Sequence, residues 1–122
     1  MSTEKMLPMK KFEKIVLFDI DDTLFDTETF IKTDLTVFSL YEDVQNTLTQ
    51  LYKIAELGVF SEGEIKLQKK KLQKTDIEKY FLKKNIHIVS KKIDVVKEIF
   101  EQYNRKKQTF FVEDRLPILH MV

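Results

Sequence analysis

Residues 15–24 read Ile15-Val16-Leu17-Phe18-Asp19-Ile20-Asp21-Asp22-Thr23-Leu24. An unbroken run of branched and aromatic apolar residues suits a strand buried on both faces of a parallel sheet, and its abrupt end in aspartates marks where the strand leaves the core. Aspartate is depleted in strands, so folding needs alone give little reason for carboxylates there. Strand periodicity sets Asp19 and Asp21 on one side and turns Ile20 away.

Working outward, three more segments share this design: Leu57-Gly58-Val59-Phe60, Ile86-His87-Ile88-Val89 and Phe110-Phe111-Val112. Helical spacing fills the gaps. Val44, Leu48, Leu51 and Ala55 line one face of a first helix, and Val95, Val96, Ile99, Phe100 and Tyr103 one face of a last. The middle connection reads as two shorter helices over residues 64–73 and 76–84, the second opened by a capping box of Thr75 and Glu78. Strands alternating with helices predict an α/β fold: an open, doubly wound parallel sheet, Rossmann-like, with about four strands and helices on both faces. The 122 residues suffice for one domain with one core, preceded by an N-terminal arm over residues 1–13.

Composition narrows the function classes. Lys and Arg number 21 against 20 Asp and Glu, so the net charge of +1 gives no general attraction to nucleic acid or membrane. The chain has no cysteine, which removes disulfides, thiolate nucleophiles and cysteine metal sites and fits a reducing compartment. The apolar run after the basic start is too short for a signal peptide or a membrane span, and a cytoplasmic protein is expected. Lys66, Lys69, Lys70, Lys71 and Lys74 form the densest charge run and read as the wet face of a helix. Aromatic residues do not interleave with it, so a nucleic-acid partner is not expected. His87, inside a strand, reads as a packed residue.

In open parallel sheets ligands bind at the carboxyl ends of the strands. The four apolar runs deliver Asp19, then Ser61, then Ser90 with Lys91 and Lys92, then Glu113 with Asp114 to one rim. Like-charged carboxylates about 4 Å apart repel by roughly 4 kcal/mol at a surface-like dielectric, so such a cluster calls for a cation. An oxygen-only ligand set suits magnesium, and the lack of cysteine and scarcity of histidine argue against zinc. Either Lys91 or Lys92 can serve as the rim cation, Lys92 lying nearer the helical run, and either Glu113 or Asp114 can face a metal.

With these residues in place the sequence resembles the haloacid dehalogenase superfamily. Val16 to Leu24 is similar to its first signature, Asp-x-Asp-x-Thr at the end of the first strand. Leu57 to Gly63 resembles the second, a strand ending in Ser or Thr, and Gln68 to Leu72 resembles a Gln-x-x-Lys-Leu stretch that often follows it. Lys91 or Lys92 fits the third and Val112-Glu113-Asp114 the fourth, so the likeness runs from residue 15 to residue 114. The resemblance implies a magnesium-dependent phosphomonoester hydrolase working through an aspartyl-phosphate. It makes Asp19 the nucleophile and Asp21 the acid and base. Thr23 would hold the loop, while Ser61 and Lys92 would bind phosphoryl oxygens, and Asp19, the Asp21 carbonyl and Asp114 would hold Mg2+. Dehalogenase members lack the second aspartate, so phosphate chemistry is implied over carbon–halogen cleavage.

Two departures from the family pattern shape the expectation. The stretch from Phe25 to Tyr41 has room for a turn and a small flap and not for an inserted cap domain, which leaves an open site. Such a site suits a large phosphorylated substrate, a cap supplied by another subunit of a homo-oligomer, or low selectivity. The family sheet usually continues past its fourth signature, whereas this chain stops at Val122. A minimal version and a fragment are both consistent with that. The rival expectation is therefore a non-catalytic phosphate- or metal-binding module that keeps the fold without turnover.

Overall fold

The computed structural model describes residues 12–113. The 1–11 portion of the expected N-terminal arm and the whole stretch from Asp114 to Val122 lie outside the described residues. In chain order the elements are β1 (Lys14–Phe18), α1 (Thr27–Lys32), α2 (Val44–Leu51), β2 (Glu56–Glu62), α3 (Ile65–Lys74), β3 (Ile86–Val89), α4 (Lys92–Asn104) and β4 (Gln108–Val112).

The four described strands form one parallel sheet in the order β3-β2-β1-β4. The fold is thus the expected α/β sheet, open and doubly wound. Alternation along β1 feeds both faces. Val16 and Phe18, followed by Ile20, enter a core with Val59, Val44 and Leu48 of α2 and Leu72 of α3. Ile15 and Leu17 enter a second core with Phe60, Phe111 and Val96, Ile99 and Tyr103 of α4. Helices α2 and α3 therefore cover one face and α4 the other. The chain first winds from β1 to β2 and β3, then returns through α4 to place β4 on the far side of β1. The carboxyl end of β1 lies at this reversal, where such sheets open a crevice.

Gly58 shows how tightly the layers meet. It pairs with Leu17 across the ladder. A β-carbon there would sit 2.6 Å from the Asn85 carbonyl oxygen and 2.6 Å from Leu17 Cδ2. Only hydrogen fits between β2 and the turn that leads into β3.

The helix expected over residues 76–84 is replaced by two 3-10 turns, Glu78–Tyr80 and Lys83–Asn85. Thr75 does not open a helix; it closes α3, its hydroxyl donating to the Lys71 carbonyl at 2.6 Å. Asp76 then takes a left-handed backbone, φ 59°, which stops the helix and turns Ile77 and Phe81 into the core. The capping-box pattern was present, and burial of two apolar side chains so close together decided against it. Between Phe25 and Tyr41 lies the six-residue α1, capped by Asp26, whose carboxylate accepts from the Thr29 amide at 3.1 Å. Among the described residues no helix is long and apolar enough to cross a membrane.

Candidate active site

Asp19 is fixed at the end of β1 by its backbone amide, which extends the ladder to the Val112 carbonyl at 2.9 Å. Beyond Asp21 the chain reverses at once. Asp22 is left-handed, φ 63°, and the amides of Leu24 and Phe25 both return to the Ile20 carbonyl at 3.0 and 2.9 Å. Ile20 is buried as an apolar anchor, so the carboxylates on either side of it are held at the rim.

Two clusters form there. In the first, Lys92, 2% exposed, lies between two carboxylates, 3.2 Å from Asp19 Oδ1 and 2.9 Å from Glu113 Oε2. Its ammonium also sits over the Phe60 ring, 5.2 Å from the centroid. Lys91 is exposed, so of the two adjacent lysines Lys92 is the one turned inward. The Lys92 amide, at the start of α4, donates to Glu62 Oε1 at 2.9 Å, an anion at a helix N-terminus. One cation and two carboxylates share a site largely removed from water, an arrangement whose desolvation opposes its attraction. Burial accordingly pushes the Asp19 carboxyl above its ordinary range; the Lys92 charge and hydrogen bond and the Ile20 amide pull it back, and Glu113 adds to the rise. Asp19 Oδ1 accepts from the Ile20 amide at 2.8 Å, while Oδ2 accepts from none of the described residues.

The second cluster holds Asp21. Its Oδ1 accepts from Lys71 Nζ at 2.7 Å and from the Thr27 hydroxyl at 2.9 Å, and its Oδ2 from Gln68 Nε2 at 3.2 Å. Gln68 Nε2 also reaches Ser61 Oγ at 2.8 Å. Gln68 and Lys71 are one helical turn apart on the buried side of α3. Lys71 is 5% exposed and lies 5.0 and 5.3 Å from the ring centroids of Phe25 and Phe30. The other lysines of the run, Lys66, Lys69, Lys70 and Lys74, face solvent as expected, but Lys71 does not. An ammonium held on the Asp21 carboxylate and over two aromatic rings accounts for its burial.

The rim thus brings together Asp19, Asp21, Ser61 and Lys92. Thr23 is also at the loop, but its Oγ1 is buried without a hydrogen-bond partner among the described residues, and the hydroxyl that reaches Asp21 is that of Thr27. Thr23 instead lines a cleft of about 170 Å3, shared with Phe18, Asp43, Val44, Leu48 and Val112. Asp114 lies outside the described residues; its neighbour Glu113 is in the site, with Oε1 buried and unpartnered among those residues. The donors at this rim, that orphaned oxygen and the Asp19 carboxylate, are oxygens, whose chemistry fits a hard divalent cation such as magnesium. Among the described residues no group of three or more His, Cys, Asp or Glu is arranged to hold a metal by side chains alone.

Gln68, Lys71 and Thr27 are site residues beyond those expected to act, and of the acidic pair left open at the end of the fourth run Glu113 lies in the site. Gln68 and Lys71 carried a signal, since with Leu72 they repeat at helical spacing on an otherwise charged helix. His87 is packed as expected, its Nε2 2.6 Å from the Tyr103 hydroxyl. Compared with known proteins, the chain matches no family model, no curated protein and no solved structure.

Proposed function

We propose that this chain is a magnesium-dependent phosphomonoester hydrolase of the haloacid dehalogenase type, acting through an aspartyl-phosphate on Asp19. The observation that carries this reading is Lys92, a buried cation bridging Asp19 and Glu113 at the carboxyl ends of the neighbouring strands β1 and β4. A lysine so placed balances charge on a phosphoryl group arriving at Asp19. Ser61, at the end of β2, supplies a hydroxyl on the opposite side.

In the first step an Asp19 oxygen bonds to phosphorus as the bond to the leaving oxygen breaks, and Asp21, having taken a proton from solvent on release from its ion pair with Lys71, gives that proton to the leaving oxygen. In the second, water attacks phosphorus, its proton passes to Asp21, and the bond to Asp19 breaks to release phosphate. Asp19, the Asp21 carbonyl and Asp114 are the residues that would hold magnesium, which supplies further charge neutralisation on phosphoryl oxygens. The substrate class is a phosphomonoester, small or carried on a larger molecule, and the cysteine-free chain suits the cytoplasm.

A second reading, a non-catalytic phosphate- or metal-binding module, is favoured by one feature: both oxygens of Asp21 are already engaged by Lys71, Thr27 and Gln68. Hydrolysis of a chromogenic phosphomonoester by the purified chain decides between the two. Magnesium-dependent release of phosphate that disappears in Asp19→Asn is expected. A folded protein that binds phosphate without turning over a panel of monoesters establishes the second reading instead.

A further inference from the structure

The Gln68 amide has a fixed orientation, and it dictates where the Ser61 proton points. Asp21, an aspartate in an ion pair with Lys71, accepts hydrogen bonds and donates none, so the nitrogen of the Gln68 amide must be the end that faces its Oδ2. That nitrogen carries two hydrogens. One goes to Asp21 and the other to Ser61 Oγ, 2.8 Å away. Ser61 therefore acts as acceptor toward Gln68, and its own hydroxyl hydrogen is directed elsewhere. The amide has no room to turn: Gln68 is 1% exposed and Ser61 0% exposed. Gly63, at φ +148°, lies against the Gln68 side chain, which an added β-carbon would meet at 3.1 Å.

We propose that Gln68 is a positioning residue which, through the two hydrogens of one amide, fixes Asp21 and holds the Ser61 hydroxyl as an outward donor to an incoming phosphoryl oxygen. The identity of that anion rests on the phosphatase reading; the polarity of the Ser61–Gln68–Asp21 chain does not. A serine free to rotate can satisfy itself on a nearby carbonyl, whereas one already accepting from Gln68 is preorganised to donate. Glutamine is required for this, because a carboxylate at position 68 would take the Ser61 proton and repel Asp21.

The test is a double-mutant cycle read by calorimetric binding of inorganic phosphate in the presence of magnesium. In the wild-type chain Ser61→Ala is expected to weaken binding about tenfold, the scale of one charge-assisted hydrogen bond. In a Gln68→Glu background the same substitution is expected to cost less than about twofold, since the Ser61 proton is already drawn inward. A Gln68→Met background gives a cost between these and decides alone where Gln68→Glu does not fold. Equal cost of Ser61→Ala in every background, or none in the wild type, overturns the proposal. Hydrolysis measured on the same samples is scored separately: coupling without turnover removes the phosphatase reading and leaves the positioning role standing.

Discussion

Lys92 is where the stability of the site and its chemistry are most directly opposed. Lys92→Met would leave Asp19 and Glu113 buried side by side without their cation, and breaking a buried ionic cluster this way typically costs about 3–5 kcal/mol. Urea unfolding at neutral pH is expected to show that loss, with partial recovery as the pH falls and Asp19, whose carboxyl burial already raises, protonates. Asp19→Asn goes the other way. Because burial raises the folded-state value of Asp19 above 3.8, the native state holds the extra proton in the window just above 3.8, and stability falls as pH rises through it. At neutral pH the ionised carboxylate is therefore a liability, and the asparagine variant is expected to unfold at an equal or higher urea concentration while losing turnover. An unfolding free energy lowered by more than about 1 kcal/mol would contradict this account of Asp19. Asp19 and Asp21 were legible in the sequence because carboxylates ending a buried strand have no packing reason. Lys71 was marked only by the Gln-x-x-Lys-Leu resemblance, because by charge alone a run of lysines looks the same whether one ammonium is buried over Phe25 and Phe30 or all are wet.

Among the elements, the end of the sheet opposite the site is held by a polar chain that joins β2, β3 and α4. Glu56 accepts from Asn85 Nδ2 at 3.0 Å, which turns Asn85 Oδ1 toward Tyr103, 2.9 Å away. Tyr103 thus donates to Asn85, and His87 Nε2 donates to Tyr103 over 2.6 Å. Burial holds His87 below its ordinary range and pushes Tyr103 up to about 12. For His87 the unfolded chain binds the extra proton, so stability is intact above 6.5 and declines as pH falls toward the lowered folded value. Denaturation midpoints at pH 7.5 and 5.5 are expected to differ in that direction, and His87→Gln, which keeps a donor, is expected to reduce the difference; an unchanged difference would assign the slope to other groups. For Tyr103 stability holds below 10 and is lost as pH rises toward about 12. The strands were readable from unbroken apolar runs and the helices on either side of this network from period-3.6 patterning. The stretch after Thr75 was not, because its local capping signal competes with a left-handed Asp76 and with core positions for Ile77 and Phe81.

At the scale of the whole molecule, the site belongs to no single element: the ends of β1, β2 and β4 and the helices α1, α3 and α4 each bring one or two groups to it. A ligand that spans these contributions should tie the fold together. Phosphate with magnesium at about a hundred times its dissociation constant is expected to stabilise the native state by about 2.7 kcal/mol, seen as a higher unfolding midpoint that disappears in Lys92→Met. No shift at saturating phosphate would count against the rim as an anion site. The sequence by itself determined the α/β class, the four strand segments and the rim to which their polar ends belong, because burial on two faces and carboxylates at a strand end are properties of contiguous residues. Only the tertiary structure decided the order β3-β2-β1-β4, the choice of Lys92 over Lys91 and the enlistment of Glu113, Gln68 and Lys71. Those outcomes depend on which helix packs over which strand end, and residues 50 positions apart, such as Asp21 and Lys71, or farther, such as Asp19 and Lys92, meet only once the two cores on either side of the sheet have formed.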